Sequence, residues 1–325
     1  MALAASGERS PPGKTRNFPG TPGVTPQDHA DRERQRPLQY VGRFAPSPTG
    51  SLHLGSLVAA LGSFLDARSR GGRWLVRMED LDRARVVPGC AAQILSTLEA
   101  FALTWDGEVA YQSRRHDHYL EALQRLTARG LTFECSCSRR QLESDAGYPG
   151  TCRERPARPG PTATRFRIDD GVLVVEDRAQ GPCSFRMAER GDIVIRRRDG
   201  IIAYQLAVVV DDAWQGITDV VRGADLLDST AWQIVLQRTL GVTTPAYLHL
   251  PLVVEPTGQK LAKARRSVPL DSGAAGPLLH EALRLLCQEP TAELKLESPV
   301  SILDWACRHW NPQRLGQLPE IRVRE

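Results

Sequence analysis

A stiff loop between an expected strand and an expected helix constrains the fold of this 325-residue chain more than any other feature. The stretch reads RFAPSPTGSLHLGSL over residues 43–57. Its prolines fix the backbone angle φ, its glycines let another group approach the backbone closely, and a helix follows. A helix N-terminus after such a loop directs unpaired N–H groups and a positive dipole end toward one space. Taken alone, the stretch is equally consistent with a rigid turn that caps the helix and with an anion site, to which His53 and Ser56 would add side-chain donors.

The residues around this loop predict the fold class. Strands are expected within LQYVGRF (38–44) and RWLVRMED (73–80), and amphipathic helices over 89–102 and 117–129. Strands that alternate with helices form parallel sheets covered by helices. We therefore predict an α/β fold with a Rossmann-like parallel sheet.

Two further elements are predicted in the second half of the chain. The nearly continuous apolar run IIAYQLAVVVDDAW (201–214) is typical of a sheet strand that is buried on both faces. A helix is expected from about Thr230 to Leu240, with Asp228 or Ser229 as its N-cap and Gly241 as its stop.

Composition and charge place limits on the class of protein. Hydrophobic residues make up 41% and charged residues 25%, and no apolar run has the length of a membrane span. The net charge of +4 permits contact with a polyanion but does not establish it. We expect a cytoplasmic protein that does not bind a membrane, with a disordered tail over residues 1–37, which are poor in large apolar side chains.

A cysteine cluster marks an insertion over residues 132–161. Cys135, Cys137 and Cys152 lie within CSCSRRQLESDAGYPGTC, in a segment with few apolar residues. Three thiolates in such a segment favour one structural Zn²⁺, which would supply folding energy that a small core lacks. On chemical grounds alone, His116 or His118 is the first candidate for the fourth ligand.

A second cationic segment lies far along the chain from the first loop. GQKLAKARR places Lys260 and Lys263 on a loop after the apolar HLPLVV. Two ammonium groups there could meet a triphosphate held by the first loop. A lysine pair alone is more often part of a solvated surface, but its combination with the histidine-containing loop favours a phosphate site.

Together these segments resemble a known family. HLGS at 53–56 and KLAKA at 260–264 resemble the two signature motifs of class I aminoacyl-tRNA synthetases. RFAPSPTGSLHLGS, RMEDLD, AYQLAVVVDD and RGADLLDSTAWQ resemble the glutamyl branch, over about Val41 to Asp271. One departure is Ala262, where the family usually has serine, so a hydroxyl donor to the phosphates is lost.

The resemblance implies an activity and a set of site residues. Residues 38–271 would form the catalytic domain, which joins ATP and L-glutamate into glutamyl-adenylate with Mg²⁺. A dicarboxylic amino acid needs cations for its carboxylates and an anion for its ammonium group. The catalytic residues implied are His53, Lys260 and Lys263. Those implied to bind ATP are Pro46, Ser47, His53, Gly55, Ser56 and Lys263. Those implied to bind L-glutamate are Arg43, Phe44, Ala45, Pro46, Ser47, Glu79, Tyr204 and Arg222.

The acceptor and the fourth metal ligand also follow only from resemblance. Residues 272–325 contain two helix-like stretches, too little for the anticodon-binding domain of ordinary family members. The chain thus resembles a truncated branch that attaches glutamate to the queuosine base in the anticodon of tRNA(Asp). In that branch the zinc ligands follow the pattern Cys-x-Cys, then Tyr-x-x-x-Cys. The resemblance therefore implies Tyr148 as the fourth ligand beside Cys135, Cys137 and Cys152.

The sequence is also compatible with two other functions, and it does not assign the residues that contact RNA. The chain could be a catalytic fragment that charges the 3′ end of a tRNA, or a non-catalytic synthetase-like RNA-binding protein. A monomer is expected. Arginines of the insertion and of 196–198 are candidates for contacts to the RNA backbone.

Overall fold

The computed structural model describes residues 39–142, 148–155, 157–254 and 268–322. The first half of the described chain contains β1 (Val41–Phe44), α1 (Leu54–Arg68), β2 (Arg73–Met78), α2 (Cys90–Ala100), β3 (Ala110–Tyr111), α3 (His116–Ala128), β4 (Thr132–Cys135), β5 (Ala163–Phe166), β6 (Val172–Asp177) and β7 (Gly181–Arg186). The second half contains α4 (Met187–Arg190), β8 (Ile193–Arg196), α5 (Tyr204–Trp214), β9 (Asp219–Gly223), α6 (Leu227–Leu240), β10 (Ala246–Leu250), β11 (Leu252–Val254), α7 (Ala275–Leu285), α8 (Pro299–His309) and β12 (Glu320–Arg322).

Parallel strands form the centre of the fold. β1 pairs with β2 and β2 with β3, while β10 lies between β6 and β9, all in parallel. The two sets meet at β1 and β9, where the Thr218 N–H donates to the Val41 carbonyl at 3.0 Å. The chain therefore first adds β2 and β3 on one side of β1, and later adds β9 and β10 on its other side. Such a switch leaves a crevice at the carboxyl ends of the strands, and the predicted α/β class is confirmed.

The helix α1 connects the sheet to the C-terminal helices. Leu57, Leu61 and Leu65 on α1 are buried in one core with Leu279 of α7 and Ile302 of α8. This burial fixes the N-terminal end of α1, and with it the end of the Pro- and Gly-containing loop, relative to the crevice. The rigid loop predicted from the sequence is thus anchored from the helix side.

The run 201–214 is a helix, so the predicted strand is wrong. Its residues 204–214 form α5, an α-helix of 11 residues. Periodicity does not separate a short buried strand from a short buried helix. Consecutive side chains point to opposite faces in a strand, about 180° apart, but are only about 100° apart around a helix. The helix therefore lets Asp211 and Asp212 both reach Arg77 of β2, at 3.9 and 2.7 Å.

The predicted N-cap of α6 is also wrong, whereas its stop is confirmed. The helix begins at Leu227, after a short 3-10 turn, and Leu226 occupies the N-cap position without a side-chain hydrogen bond. Asp228 and Ser229 therefore lie in the first turn. Gly241 ends the helix in a left-handed conformation with φ of 72°.

A separate three-stranded antiparallel sheet carries the cysteine-containing segment. β5 pairs with β4 on one side and β8 on the other. Strand β4 ends at Cys135, and Tyr148 forms an isolated bridge with Gly191 just before β8. In the described part of the chain, no helix is both long and apolar enough to cross a membrane.

Candidate active site and metal centre

A cavity of about 560 Å³ opens at the carboxyl ends of β1, β2 and β9. Pro46, which was also expected to bind glutamate, instead accepts a hydrogen bond on its carbonyl from the Glu79 N–H at 2.9 Å. The other residues expected to bind glutamate line the cavity: Arg43, Phe44, Ala45, Ser47, Glu79, Tyr204 and Arg222. Segments far apart in the chain are thus brought to one space.

Arg43 reaches this cavity from a buried acidic network. Its Nε donates to Asp212 Oδ1 at 3.2 Å, and Arg77 Nη1 donates to the same oxygen at 2.7 Å. Burial raises the pKa of Asp212, but the two guanidinium groups outweigh it and hold that pKa below its usual value. Asp212 is therefore ionised, and the charge of Arg43 is largely matched within the protein.

Arg222 differs because its partners carry no charge. Its Nη1 donates to the Tyr204 hydroxyl at 3.1 Å, its Nη2 to Thr230 Oγ1 at 2.7 Å, and its Nε to His249 Nε2 at 3.2 Å. Burial lowers the pKa of His249, so the imidazole is neutral. Arg222 is only 6% exposed. In the described ranges, no carboxylate lies within ion-pair distance of it, so the cavity contains a buried cation without a matching anion.

Glu79 supplies the opposite charge at the end of β2. Its Oε1 lies 3.4 Å from Arg77 Nη2. Burial raises the pKa of Glu79 above its usual value, although Arg77 and Arg43 oppose that rise. A carboxylate in this position is stabilised when an ammonium group enters the cavity.

A smaller cavity of about 200 Å³ adjoins the larger one, and Ala59 and Gly223 line both. His53, Gly55 and Ser56 line the smaller cavity. His53 is the N-cap of α1, and its Nδ1 accepts a hydrogen bond from the Ser56 N–H at 3.3 Å. In a neutral ring this leaves the proton on Nε2, so His53 is a hydrogen-bond donor through that atom.

The second signature segment cannot be placed against these cavities. Lys260, Ala262 and Lys263 lie outside the described residues. Their expected roles remain predictions from the sequence.

The three cysteines form a cluster that fits a metal ion. The Sγ atoms of Cys135, Cys137 and Cys152 all lie within 4.8 Å of one another. Thiolates on a tetrahedral Zn²⁺ lie about 3.8 Å apart, given a Zn–S bond of about 2.3 Å. The cluster is therefore compatible with a metal site.

Tyr148 lies beside these thiols, whereas the alternative histidines do not. Its hydroxyl is 3.6 Å from Cys135 Sγ and accepts a hydrogen bond from the Cys152 N–H at 2.7 Å. His116 and His118 are exposed on α3, and among the described residues neither joins the cysteine cluster. The geometry thus favours the ligand pattern that the family resemblance implied.

Two of the arginines considered for RNA contacts are paired within the protein. Arg153 forms an ion pair with the buried Asp192 at 2.6 Å. Arg197 bridges Asp82 at 2.7 Å and Asp199 at 2.6 Å. These pairs give both arginines a structural role that the arginine-rich pattern did not predict.

Three buried residues that support the larger cavity were not predicted from the sequence. Asp212 orients Arg43, and His249 contacts both Arg222 and Asp177. Each is an ionisable residue within or directly after an apolar run, in LAVVVDD, YLHLPLVV and VLVVED. A polar side chain at such a position was the available signal, because a buried charge needs a partner.

A family model for the catalytic domain of class I tRNA synthetases (E and Q) matches residues 39–275. The chain therefore belongs to the class I tRNA synthetase family, whose members are ATP-dependent ligases. Within it, the chain is 54% identical over 290 residues to the Glutamyl-Q tRNA(Asp) synthetase of Ectopseudomonas mendocina, covering 88% of this chain and 99% of that protein. It is 53% identical over 289 residues to the Glutamyl-Q tRNA(Asp) synthetase of Pseudomonas aeruginosa, covering 87% of this chain and 99% of that protein. The predicted family and enzyme class are confirmed.

Solved structures show the same fold. Glutamate-tRNA synthetase from Elizabethkingia anophelis superposes with a TM-score of 0.74 at 23% sequence identity, over 88% of this chain and 68% of that one. A glutamate tRNA ligase from Elizabethkingia meningosepticum, in complex with its amino acid, superposes with a TM-score of 0.73 at 24% identity, over 88% and 67%. At these identities the likeness concerns the fold.

Proposed function

We propose that this protein activates L-glutamate with ATP and transfers the glutamyl group to the queuosine base in the anticodon of tRNA(Asp). The observation that carries the proposal is the buried Arg222, which has no matching anion among the described residues and lies in the same cavity as Arg43 and Glu79.

The larger cavity suits a dicarboxylic amino acid. Arg43 and Arg222 bind carboxylates, and Glu79 binds the ammonium group. Because Asp212 already matches the charge of Arg43, Arg222 supplies the uncompensated charge that favours a carboxylate over the neutral amide of glutamine. Tyr204, which accepts a hydrogen bond from Arg222, completes the wall on that side.

The smaller cavity suits the nucleotide. Gly55 and Ser56 lie at the N-terminus of α1, where backbone N–H groups favour phosphate. His53 adds its Nε2–H, and Lys260 and Lys263 are proposed to reach the same phosphates. Mg²⁺ bound with ATP would neutralise phosphate charge in this site.

The two cavities adjoin at Ala59 and Gly223, which brings the amino acid next to the nucleotide. A carboxylate oxygen of glutamate attacks the α-phosphorus of ATP and pyrophosphate leaves, giving glutamyl-adenylate. A hydroxyl of the queuosine base then attacks the activated carbonyl, and AMP leaves. The protein contributes positioning and charge neutralisation rather than a covalent nucleophile.

The acceptor is supported by the names of the similar curated proteins, both called Glutamyl-Q tRNA(Asp) synthetase. The cysteine cluster with Tyr148 is proposed to bind one structural Zn²⁺. Because its substrates are ATP, glutamate and a tRNA, we also propose that the protein works in the cytoplasm, as the sequence predicted.

The test supplies labelled glutamate and ATP with tRNA(Asp) that contains or lacks queuosine. Label is expected only on the queuosine-containing tRNA. Periodate treatment after the reaction then identifies the acceptor, because the diol that carries glutamate is protected whereas the other diol is cleaved. Label on both tRNAs would indicate charging of the 3′ end, and label on neither would support a protein that does not aminoacylate tRNA(Asp). Glutamate-dependent exchange of pyrophosphate into ATP, measured without tRNA, tests the first step separately.

A further inference from the structure

A buried Asp–His pair lies behind Arg222, outside the cavity. Asp177 ends β6 and His249 lies in the neighbouring strand β10. The two side chains are 0% exposed, and His249 Nδ1 lies 2.6 Å from Asp177 Oδ2. On the other side of the ring, Nε2 lies 3.2 Å from Arg222 Nε and 3.0 Å from Thr230 Oγ1. One imidazole thus joins a buried carboxylate to the cationic side chain of the cavity.

The surrounding hydrogen bonds determine which ring nitrogen carries the proton. Asp177 Oδ1 accepts from the N–H groups of Ala179 at 3.0 Å and Gln180 at 2.8 Å, so the carboxylate is held as an acceptor. The Nδ1 of His249 therefore donates to Oδ2, and in a neutral ring Nε2 is left as an acceptor. Arg222 Nε can only donate, so this tautomer is the one that fits Arg222.

We propose that Asp177 and His249 are positioning residues that hold Arg222 in place while leaving its charge uncompensated, so that the cavity selects a carboxylate over an amide. The inference rests on the proposed binding of glutamate by Arg222. Arg43 provides the internal comparison, because a carboxylate, Asp212, orients it and matches its charge. A carboxylate in the place of His249 would do the same to Arg222 and remove the preference for an anion.

Three substitutions separate this role from simple packing. His249→Gln can place an amide oxygen near the position of Nε2, whereas His249→Asn places its amide near Nδ1 and leaves Arg222 Nε without an acceptor. Asp177→Asn keeps Oδ1 as acceptor for the N–H groups of Ala179, Gln180 and His249, but replaces Oδ2 by an NH₂ group that donates to Nδ1. The substitution also removes the contact of the His249 N–H with Oδ2. The proton then moves to Nε2, which is the wrong tautomer for Arg222.

Glutamate-dependent pyrophosphate exchange gives the first readout. His249→Asn and Asp177→Asn are expected to raise the KM for glutamate about tenfold or more, because a hydrogen bond to a charged group is lost. The KM for ATP should stay within about twofold, since the smaller cavity is not touched, and the preference for glutamate over glutamine should fall. His249→Gln should lie closer to the wild type. Tyr247→Phe, which removes a buried hydroxyl on the same strand that bonds to Gln237, serves as the matched control.

The ¹⁵N NMR signals of His249, assigned by their loss in His249→Asn, give a readout that does not depend on activity. The expected state is a neutral ring protonated on Nδ1, which changes to Nε2 in Asp177→Asn. Three results would each overturn the inference. The first is an unchanged glutamate KM, and the second is an equal loss of all kinetic parameters and of thermal stability in His249→Asn and His249→Gln. The third is a proton on Nε2 in the wild type. If the wild type shows no exchange at all, the proposed function fails, and the NMR result still decides whether His249 is the neutral acceptor of Arg222.

Discussion

Arg222 and Arg43 show how two identical side chains in one cavity acquire different chemical roles. Asp212 matches the charge of Arg43, whereas Arg222 is held by a hydroxyl of Tyr204, a hydroxyl of Thr230 and a neutral imidazole. The charge available to a substrate is therefore set by the neighbours of each arginine rather than by the residue type.

Replacing Arg222 by alanine should abolish glutamate activation and leave the fold intact. The kcat/KM for glutamate is expected to fall by about a hundredfold or more, because a buried charge-assisted hydrogen bond is lost. Pyrophosphate exchange measures activity and circular dichroism measures folding. Arg186→Ala is the control, since the Arg186 side chain is 75% exposed and, among the described residues, forms an ion pair with the exposed Glu189 alone. Full activity of Arg222→Ala would remove that residue from the substrate site.

The metal centre gives a second prediction at the level of single residues. Metal analysis should find about one zinc ion per chain, lost in Cys135→Ser, because structural zinc sites are four-coordinate and close around their ligands. Cys183→Ser is the control, since Cys183 lies outside the thiol cluster. Tyr148→Phe keeps the ring that contacts Arg165 but removes the hydroxyl near Cys135. If Tyr148 binds the metal, its phenylalanine variant should release zinc to a chelator faster than the wild type.

At the level of elements, the metal centre depends on a close approach between two backbone segments. Tyr148 forms a bridge with Gly191, the residue directly after α4, which has φ of 65°. A Cβ atom at Gly191 would lie 2.6 Å from the backbone N and O of Tyr148. Glycine is required there both for its conformation and for the space that the neighbouring backbone occupies.

Gly191→Ala should therefore displace Tyr148 and weaken the metal site. The expected loss is about 1–3 kcal/mol in the free energy of unfolding, as for other overpacked positions. Urea unfolding measures stability, and zinc content after dialysis against a chelator measures the site. Gly216→Ala is the matched control, because Gly216 also has positive φ, of 66°, but nothing lies within 4 Å of its added Cβ. Equal zinc retention in the two variants would contradict the role assigned to the Tyr148–Gly191 contact.

At the scale of the whole molecule, Asp66 connects distant parts of the chain. Its carboxylate accepts hydrogen bonds from the Tyr40 hydroxyl at 2.6 Å, from Arg178 at 2.7 Å with each oxygen, and from the Trp310 indole at 3.0 Å. These partners precede β1, follow β6 and follow α8. One buried carboxylate on α1 thus joins the start, the middle and the C-terminal segment of the described chain.

Asp66→Asn should lower the free energy of unfolding by about 3 kcal/mol at pH 7, because it leaves Arg178 without its main anion. Burial raises the pKa of Asp66, but the bonds from Arg178 outweigh it and hold that pKa below its usual value. The stability from Asp66 is therefore present above the unfolded pKa of about 3.9 and is lost as the pH falls through the lower folded value. Urea unfolding between pH 7 and pH 2 should show that the difference between the two proteins persists down to about pH 4 and shrinks below it. Trp310→Phe, which removes one neutral donor, should cost only about 1 kcal/mol.

Features of this protein that depend on neighbouring residues could be predicted from its sequence, whereas features that depend on residues far apart in the chain could not. The rigid loop, the helix after it and the stop at Gly241 follow from local patterns, and the structure has them. The strand predicted for the run 201–214 is wrong because only Arg77 on β2 and Arg115, directly before α3, require its two acids to lie on one side. Periodicity within that run contains no information about those partners.

The amino-acid sequence by itself determined the α/β class, the family, and the set of charged and thiol side chains available for a site, because motifs and periodicity are properties of consecutive residues. Only the tertiary structure decided that Asp212 matches the charge of Arg43 while His249 leaves that of Arg222 uncompensated. It also decided that Tyr148 lies beside the cysteine cluster. Charge compensation depends on distance and burial, and for residues far apart in the chain both are set only when the strands and helices pack.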